Sequence, residues 1–223
     1  MKEYLDSTPF IESSSEDITS WVNNLVKGCL TDRDKAIKLY YAVRDDILYD
    51  PYGIDLSLDG LRSTTTLREG KGYCVSKSIL LSTVARCAGI PSRIGFANVK
   101  NHLTSEKLKN MMKTDIFAWH GYTELYIEGV WVKATPAFNA SLCEKAGIKP
   151  LEFNGKDDSI FHPIDNAGRQ HMEYITDHGC FQDVPLDALV ASFKEYYPEF
   201  AAKIFQSGKS QIEGSFENEA SSR

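Results

Sequence analysis

Cysteine and histidine are the side chains best suited to act as nucleophile and base near neutral pH, and this 223-residue sequence holds five of each. Cys29, Cys74, Cys87, Cys143 and Cys180 form no C-x-x-C pair, so a zinc ribbon or thioredoxin-type motif is absent. Cys74 stands apart by its context. Gly70-Lys71-Gly72-Tyr73 precedes it, and Val75, Ile79, Leu80, Val84, Cys87 and Ala88 follow at the spacing of a helix with one broad buried stripe. Gly89 and Pro91 stop that helix, which puts Cys74 at, or within a turn of, its N-terminus. Such an end carries about half a positive charge and unpaired N–H groups. A thiol there ionises more easily, and the Cys74 N–H could support a developing oxyanion. Cys29, Cys87 and Cys143 read as buried, inert thiols.

A thiol nucleophile needs a base that takes its proton and later protonates a leaving amine. His120 is the best-placed histidine, following Trp119 at the start of a strongly alternating stretch. A lone strand histidine is equally a satisfied polar residue, so the pattern alone leaves both roles open. The segment 161–171, FHPIDNAGRQH, offers His162, Asp165 and His171 as a metal set. Its wide spacing, without a cysteine pair, instead favours a loop whose polar groups bond its own backbone, or a wall of a cleft. No metal and no cofactor are expected.

The elements that must position these residues can be read in outline. Ser15-Glu16-Asp17 caps an apolar pattern at Ile18, Trp21, Val22, Leu25 and Val26. Thr31 and Asp34 open a second helix with Ala36, Tyr40, Val43 and Ile47 on its inner face. Residues 49–70 are turn-rich, 93–99 read as a strand, and 104–112 as a short helix in an insertion. From Ala118 two strands meet at Glu128-Gly129. Trp119, Gly121, Thr123, Leu125 and Ile127 share one face, and His120, Tyr122, Glu124 and Tyr126 the other. The pattern weakens after Pro136 until a helix from Asp187 to about Tyr197, interrupted at Pro198. We expect a single domain over 1–207 with its core in 40–138, and a flexible polar tail over 208–223.

Lys and Arg total 25 and Asp and Glu 31, giving a net charge of −6, which disfavours nucleic acid as the main partner. No apolar run is long enough to span a bilayer, and the start, MKEYLDSTPF, lacks the apolar run of a signal peptide. An odd number of scattered cysteines then reads as reduced thiols in a cytoplasm.

Taken together, G-K-G-Y-C at 70–74, R-C-A-G-I-P-S-R at 86–93 and W-H-G-Y-T-E-L-Y-I-E-G-V-W-V-K-A-T-P at 119–136 resemble the transglutaminase-like superfamily, in a small bacterial-type form. The resemblance covers about Tyr40 to Phe138. It implies an α+β, papain-like fold in which a nucleophile-bearing helix packs on an antiparallel sheet. It also implies that Cys74 is the nucleophile and His120 the general base. The family's third residue is an aspartate that orients the imidazole, and here Thr135 stands in its place. A threonine hydroxyl can accept the imidazole N–H but brings no charge. Thr135 ranks first as orienter by alignment and Asn139 second; Glu124 and Asp165 are further acceptors. Tyr52, Tyr73, Trp119, His162 and Asp165 are candidate cleft walls, Tyr52 as a possible second oxyanion donor. The implied function is cysteine-dependent acyl transfer on a peptide or protein amide, hydrolysis before crosslinking. The alternative is a catalytically degenerate domain that binds a peptide or protein partner.

Overall fold

The structure, a computed structural model, describes residues 1–102, 106–165, 167–210, 212 and 214–220. After a short 3-10 turn at Lys2–Tyr4, the chain forms α1 (Glu16–Leu25), α2 (Asp32–Asp45), β1 (Leu48–Tyr49), α3 (Leu58–Leu61), α4 (Ser63–Glu69) and β2 (Lys71–Gly72). It continues through α5 (Cys74–Cys87), β3 (Ser92–Asn101), α6 (Glu106–Met112), β4 (Ile116–Ile127), β5 (Val130–Ala134) and α7 (Ala140–Ala146). The last elements are β6 (Met172–Phe181), α8 (Leu186–Tyr196), α9 (Pro198–Ser207) and α10 (Phe216–Ala220). The main sheet is antiparallel in the order β5-β4-β3-β6, and β1 and β2 form a separate two-stranded parallel ladder.

Local chemistry accounts for several boundaries. Thr31 and Asp34 form a reciprocal capping box at the start of α2. Glu128 and Gly129 both take positive φ in the β4–β5 turn, the geometry a two-residue hairpin requires. Pro198 does not merely interrupt a helix: it starts α9, at a position whose missing N–H costs nothing. The helix expected over 104–112 is present from Glu106; residues 104 and 105 lie outside the described residues. β6 is a strand the sequence pattern did not signal. Most of it is exposed, it carries Gly179 at positive φ, and two register shifts break its pairing with β3.

α5 is the centre of the molecule. Its expected single stripe is an underestimate, since Cys74 through Arg86 are all buried. One side faces the sheet, where the Thr123 hydroxyl donates to Ser78 O at 2.9 Å. Leu80, Leu81 and Val84 pack with Ile18, Val22, Leu39 and Val43 of α1 and α2. Several buried polar side chains find backbone partners, while the Ser78 hydroxyl has none. Lys77 Nζ donates to the Arg44 and Ile47 carbonyls at the end of α2, and burial pushes its pKa down to about 7.

Part of the segment expected to fray is seated on the body. Phe216 sets its ring edge-on to Tyr49 and Tyr52, with centroids 5.5 and 5.7 Å away. Glu217 pairs with Lys145 at 3.0 Å and Glu219 with Lys107 at 2.6 Å, and Ala220 is buried. One aromatic residue in a polar stretch supplies the apolar anchor that composition averages away. Positions 211, 213 and 221–223 of that tail lie outside the described residues.

Because Ile79 is 0% exposed at the centre of this arrangement, Ile79→Ala should cost about 2–5 kcal/mol. Denaturant melts of the two proteins measure it. A loss near zero would contradict the packing of α5.

Candidate active site

Cys74 is the first residue of α5, and Tyr73 is the N-cap with an extended backbone. The helix end meets β4 at Gly121. A Cβ on Gly121 would lie 2.9 Å from Val75 Cα and 3.3 Å from both Cys74 O and Val75 N, all backbone atoms. Only a residue without a side chain admits this approach. It brings the Gly121 N–H onto the Cys74 sulfur, joined there by the N–H groups of Val75 and of Cys74 itself. His120, the residue before Gly121 on β4, also lines the Cys74 cavity. That cavity holds only about 40 Å³ and is also lined by Tyr49, Tyr73, Trp119 and Tyr197. A cleft of about 630 Å³ lies alongside it and shares Tyr49, Leu108 and Phe117 with it.

The electrostatics of the site differ from the expectation of an eased ionisation. Cys74 is 7% exposed, and burial pushes its thiol up to about 11 even though three N–H groups favour the thiolate. Burial likewise pushes the His120 imidazole down to about 3. Desolvation outweighs the three N–H groups, which holds the thiol above and the imidazole below their ordinary values. The imidazole also imposes a sign on stability. Below its ordinary value of 6.5 the unfolded chain takes up a proton that the folded chain refuses, so stability falls as the pH drops from there towards 3.

His120 Nε2 is buried without a hydrogen-bond partner, and its ring stands edge-on to Phe161 at 4.9 Å. The Thr135 hydroxyl is equally buried and unpartnered, and the Tyr174 hydroxyl approaches it without completing a bond. Orphaned buried polar atoms cost about 1–3 kcal/mol each, so each of these two calls for an explanation. The backbone of Thr135 is fully used: its N–H donates to Ser159 O, and its carbonyl accepts from the Tyr40 hydroxyl at 3.2 Å.

Other candidates fall elsewhere. Asn139 Oδ1 accepts the Tyr49 N–H at 3.0 Å and its amide nitrogen donates to Ser141 at 2.8 Å, so it ties the start of α7 to β1. Glu124 is held by Arg93 at 2.6 Å. Tyr52 does not line the Cys74 cavity; its hydroxyl donates to Glu219 at 2.6 Å, and Tyr49 takes the wall instead. Asp165 accepts from the Ala167 and Arg169 backbones and from the Arg169 guanidinium, which makes it the organiser of its own loop rather than a cleft wall. His162 lines neither the cavity nor the cleft; His171 and Arg169 line the cleft. Among the described residues no three His, Cys, Asp or Glu side chains gather as a metal set. Trp119 and Tyr73 line the cavity, the Tyr73 hydroxyl unpartnered. Cys143 is buried, whereas Cys29 and Cys87 are only half-buried, less enclosed than the sequence suggested. Tyr49 and Tyr197 are the residues sequence reasoning missed; their aromatic character was visible but their convergence from β1 and from the α8–α9 junction was not.

Gly121→Ala tests the close contact. The added methyl meets backbone that cannot swing aside, so we expect a loss of about 1–3 kcal/mol in denaturant melts.

Over residues 19–136, more than half of the chain, the sequence matches the family model described as the transglutaminase-like superfamily. No curated protein matches it. Several solved structures resemble it, three of them as follows. A candidate cysteine protease from Cytophaga hutchinsonii is 14% identical, with 80% of this chain aligned to 54% of that one and a TM-score of 0.47. A candidate protease from Parabacteroides distasonis is 16% identical over 60% of this chain and 24% of its own, with a TM-score of 0.39. Red sea bream transglutaminase is 14% identical over 88% of this chain and 41% of its own, with a TM-score of 0.35. The chain thus spans about half the length of the first of them, or less of the others. With a cysteine opening the central helix, a histidine on the adjoining strand and the family match running through both, the chain belongs to the transglutaminase-like superfamily.

Proposed function

We propose that this protein catalyses cysteine-dependent acyl transfer on amides, most simply hydrolysis of a peptide or side-chain amide through a thioester. The observation that carries the reading is the buried pair of Cys74 and His120 in one cavity, with His120 Nε2 left without a partner. In this scheme the imidazole takes the thiol proton as sulfur bonds to the amide carbon. It then gives that proton to the leaving amine as the C–N bond breaks. Water, losing a proton to the same nitrogen, releases the acid and restores the thiol. The Cys74 and Gly121 N–H groups that face the sulfur are suited to the oxyanion. Thr135 is the orienter. Crosslinking would need an amine to out-compete water at about 55 M, and water exclusion is the device that allows such competition. Five free thiols fit a reducing cytoplasm; among the described residues no helix is long and apolar enough to cross a membrane.

A second reading has its own support. The raised Cys74 thiol and a cavity of about 40 Å³ describe a site that is closed and un-ionised. A degenerate domain that binds a peptide or protein partner in the 630 Å³ cleft would show the same features.

Activated peptide thioesters separate the two. The wild type should acquire an acyl adduct on Cys74, seen by mass spectrometry and peptide mapping. Cys74→Ala should acquire none, and His120→Ala should acylate about 10²–10⁴-fold more slowly. Retained peptide binding without any adduct would favour the binding module. With the thiol near 11 and the imidazole near 3, iodoacetamide labelling of Cys74 should rise about tenfold per pH unit from 6 to 9. A plateau there would mean a preformed thiolate–imidazolium pair.

Thr135 gives an independent test. Thr135→Val removes an orphaned hydroxyl, so stability should hold or rise by about 1 kcal/mol, while acylation slows if that hydroxyl orients His120. Thr135→Asp adds a charge that favours the imidazolium and should raise the pH below which His120 is protonated. If acylation and its pH dependence coincide in all three proteins, Thr135 does not act on the histidine.

A further inference from the structure

Trp119, the residue before His120, holds a φ of 54° inside a strand, a conformation that costs a non-glycine residue about 1–2 kcal/mol. The strand register shows why it is needed. β4 pairs His120 with Ala97 and Phe117 with Val99, so Ala118 and Trp119 together stand opposite the single residue Asn98. This is a β-bulge, whose extra residue leaves the ladder and redirects the strand. A second bulge occurs at the same level on the other side of β3. Phe96 pairs with Gly179 and Ala97 with Asp177, which leaves His178 as the extra residue of β6.

Asn98 joins the two. Its Oδ1 accepts the displaced Trp119 N–H at 2.9 Å and meets His178 Nε2 at 2.9 Å. Its Nδ2 donates to the Tyr196 hydroxyl at 3.2 Å. A backbone N–H can only donate, so Oδ1 must be the acceptor, which fixes the amide orientation and makes His178 Nε2 the protonated nitrogen. The His178 ring stacks on the Trp119 indole, centroids 4.7 Å apart and planes 18° apart. Asn98 is buried.

We propose that Asn98, with His178, is a positioning residue that locks the Trp119 bulge and so sets the direction in which His120 leaves β4 towards Cys74. Asn98 touches none of the reacting atoms. It satisfies an N–H that the bulge would otherwise orphan, and the stacked His178 keeps the indole from relaxing. The proposal rests on His120 being the base, but the bond itself can be read without catalysis.

Asn98→Ala removes the acceptor and Asn98→Asp keeps it. In the full chain we expect Asn98→Ala to lose hydrogen-exchange protection at the Trp119 amide and to shift the His120 ring resonances, with the distant His102 ring as control. Acylation of Cys74 by a peptide thioester should fall at least about fivefold. Asn98→Asp should keep the Trp119 protection and acylate within about twofold of wild type. His178→Ala, on an exposed edge strand, should shift His120 in the same direction and serves if Asn98→Ala does not fold. The proposal is overturned if a folded Asn98→Ala, or His178→Ala in its place, leaves the His120 ring resonances unmoved. It is also overturned if Asn98→Asp protects Trp119 yet acylates as slowly as Asn98→Ala. A wild type that never acylates, with His120 still moved by Asn98→Ala, would count against the proposed function and leave the positioning intact.

Discussion

The molecule turns on the contact between the first turn of α5 and Gly121 of β4. Backbone meets backbone there at a distance that no side chain would permit. The contact directs the Gly121 N–H at the Cys74 sulfur, fixes where the central helix sits on the sheet, and sets the neighbouring His120 in the same wall. Everything farther along α5 supports that placement. Lys77 ties the helix to the end of α2, Thr123 ties it to β4, and Ile79 fills the space beneath.

Burial has an electrostatic consequence that competes with the helix end. Three N–H groups and the helix dipole favour a thiolate, yet the cavity is small and lined by aromatic side chains, so the thiol is pushed up and the imidazole down. The buried, unpartnered Thr135 hydroxyl is dipolar and uncharged. The same absence of charge spares the core a second buried ion.

The bulges around Asn98 show how the sheet trades regularity for aim. Perfect alternation would keep every ladder bond but fix each side chain to one of two faces. One extra residue in β4 and two in β6 disturb that rule near His120, and a single asparagine takes up the N–H that the β4 bulge frees. Strain of this kind persists only where its surroundings over-determine it, and here stacking and hydrogen bonds do so together.

Much of this was legible in the amino-acid order because the signals are local. The glycines before Cys74, the apolar spacing after it, the Gly89 stop, the Thr31–Asp34 box and the Glu128-Gly129 turn each act over a few residues, and each element formed where its own chemistry placed it. The cysteine-bearing helix followed by the histidine-bearing hairpin was likewise readable as a family pattern, from which Thr135 departs. What tertiary structure alone decided involves partners far apart in sequence. Tyr49 replaced Tyr52 in the cavity wall because the Tyr52 hydroxyl was claimed by Glu219, 167 positions away. Asn139 was occupied by Tyr49, Asp165 by its own loop, and the polar tail was anchored through Phe216. Burial that raises the Cys74 thiol has the same origin. A helix end is written in the local sequence, but desolvation is the sum of everything that folds over it.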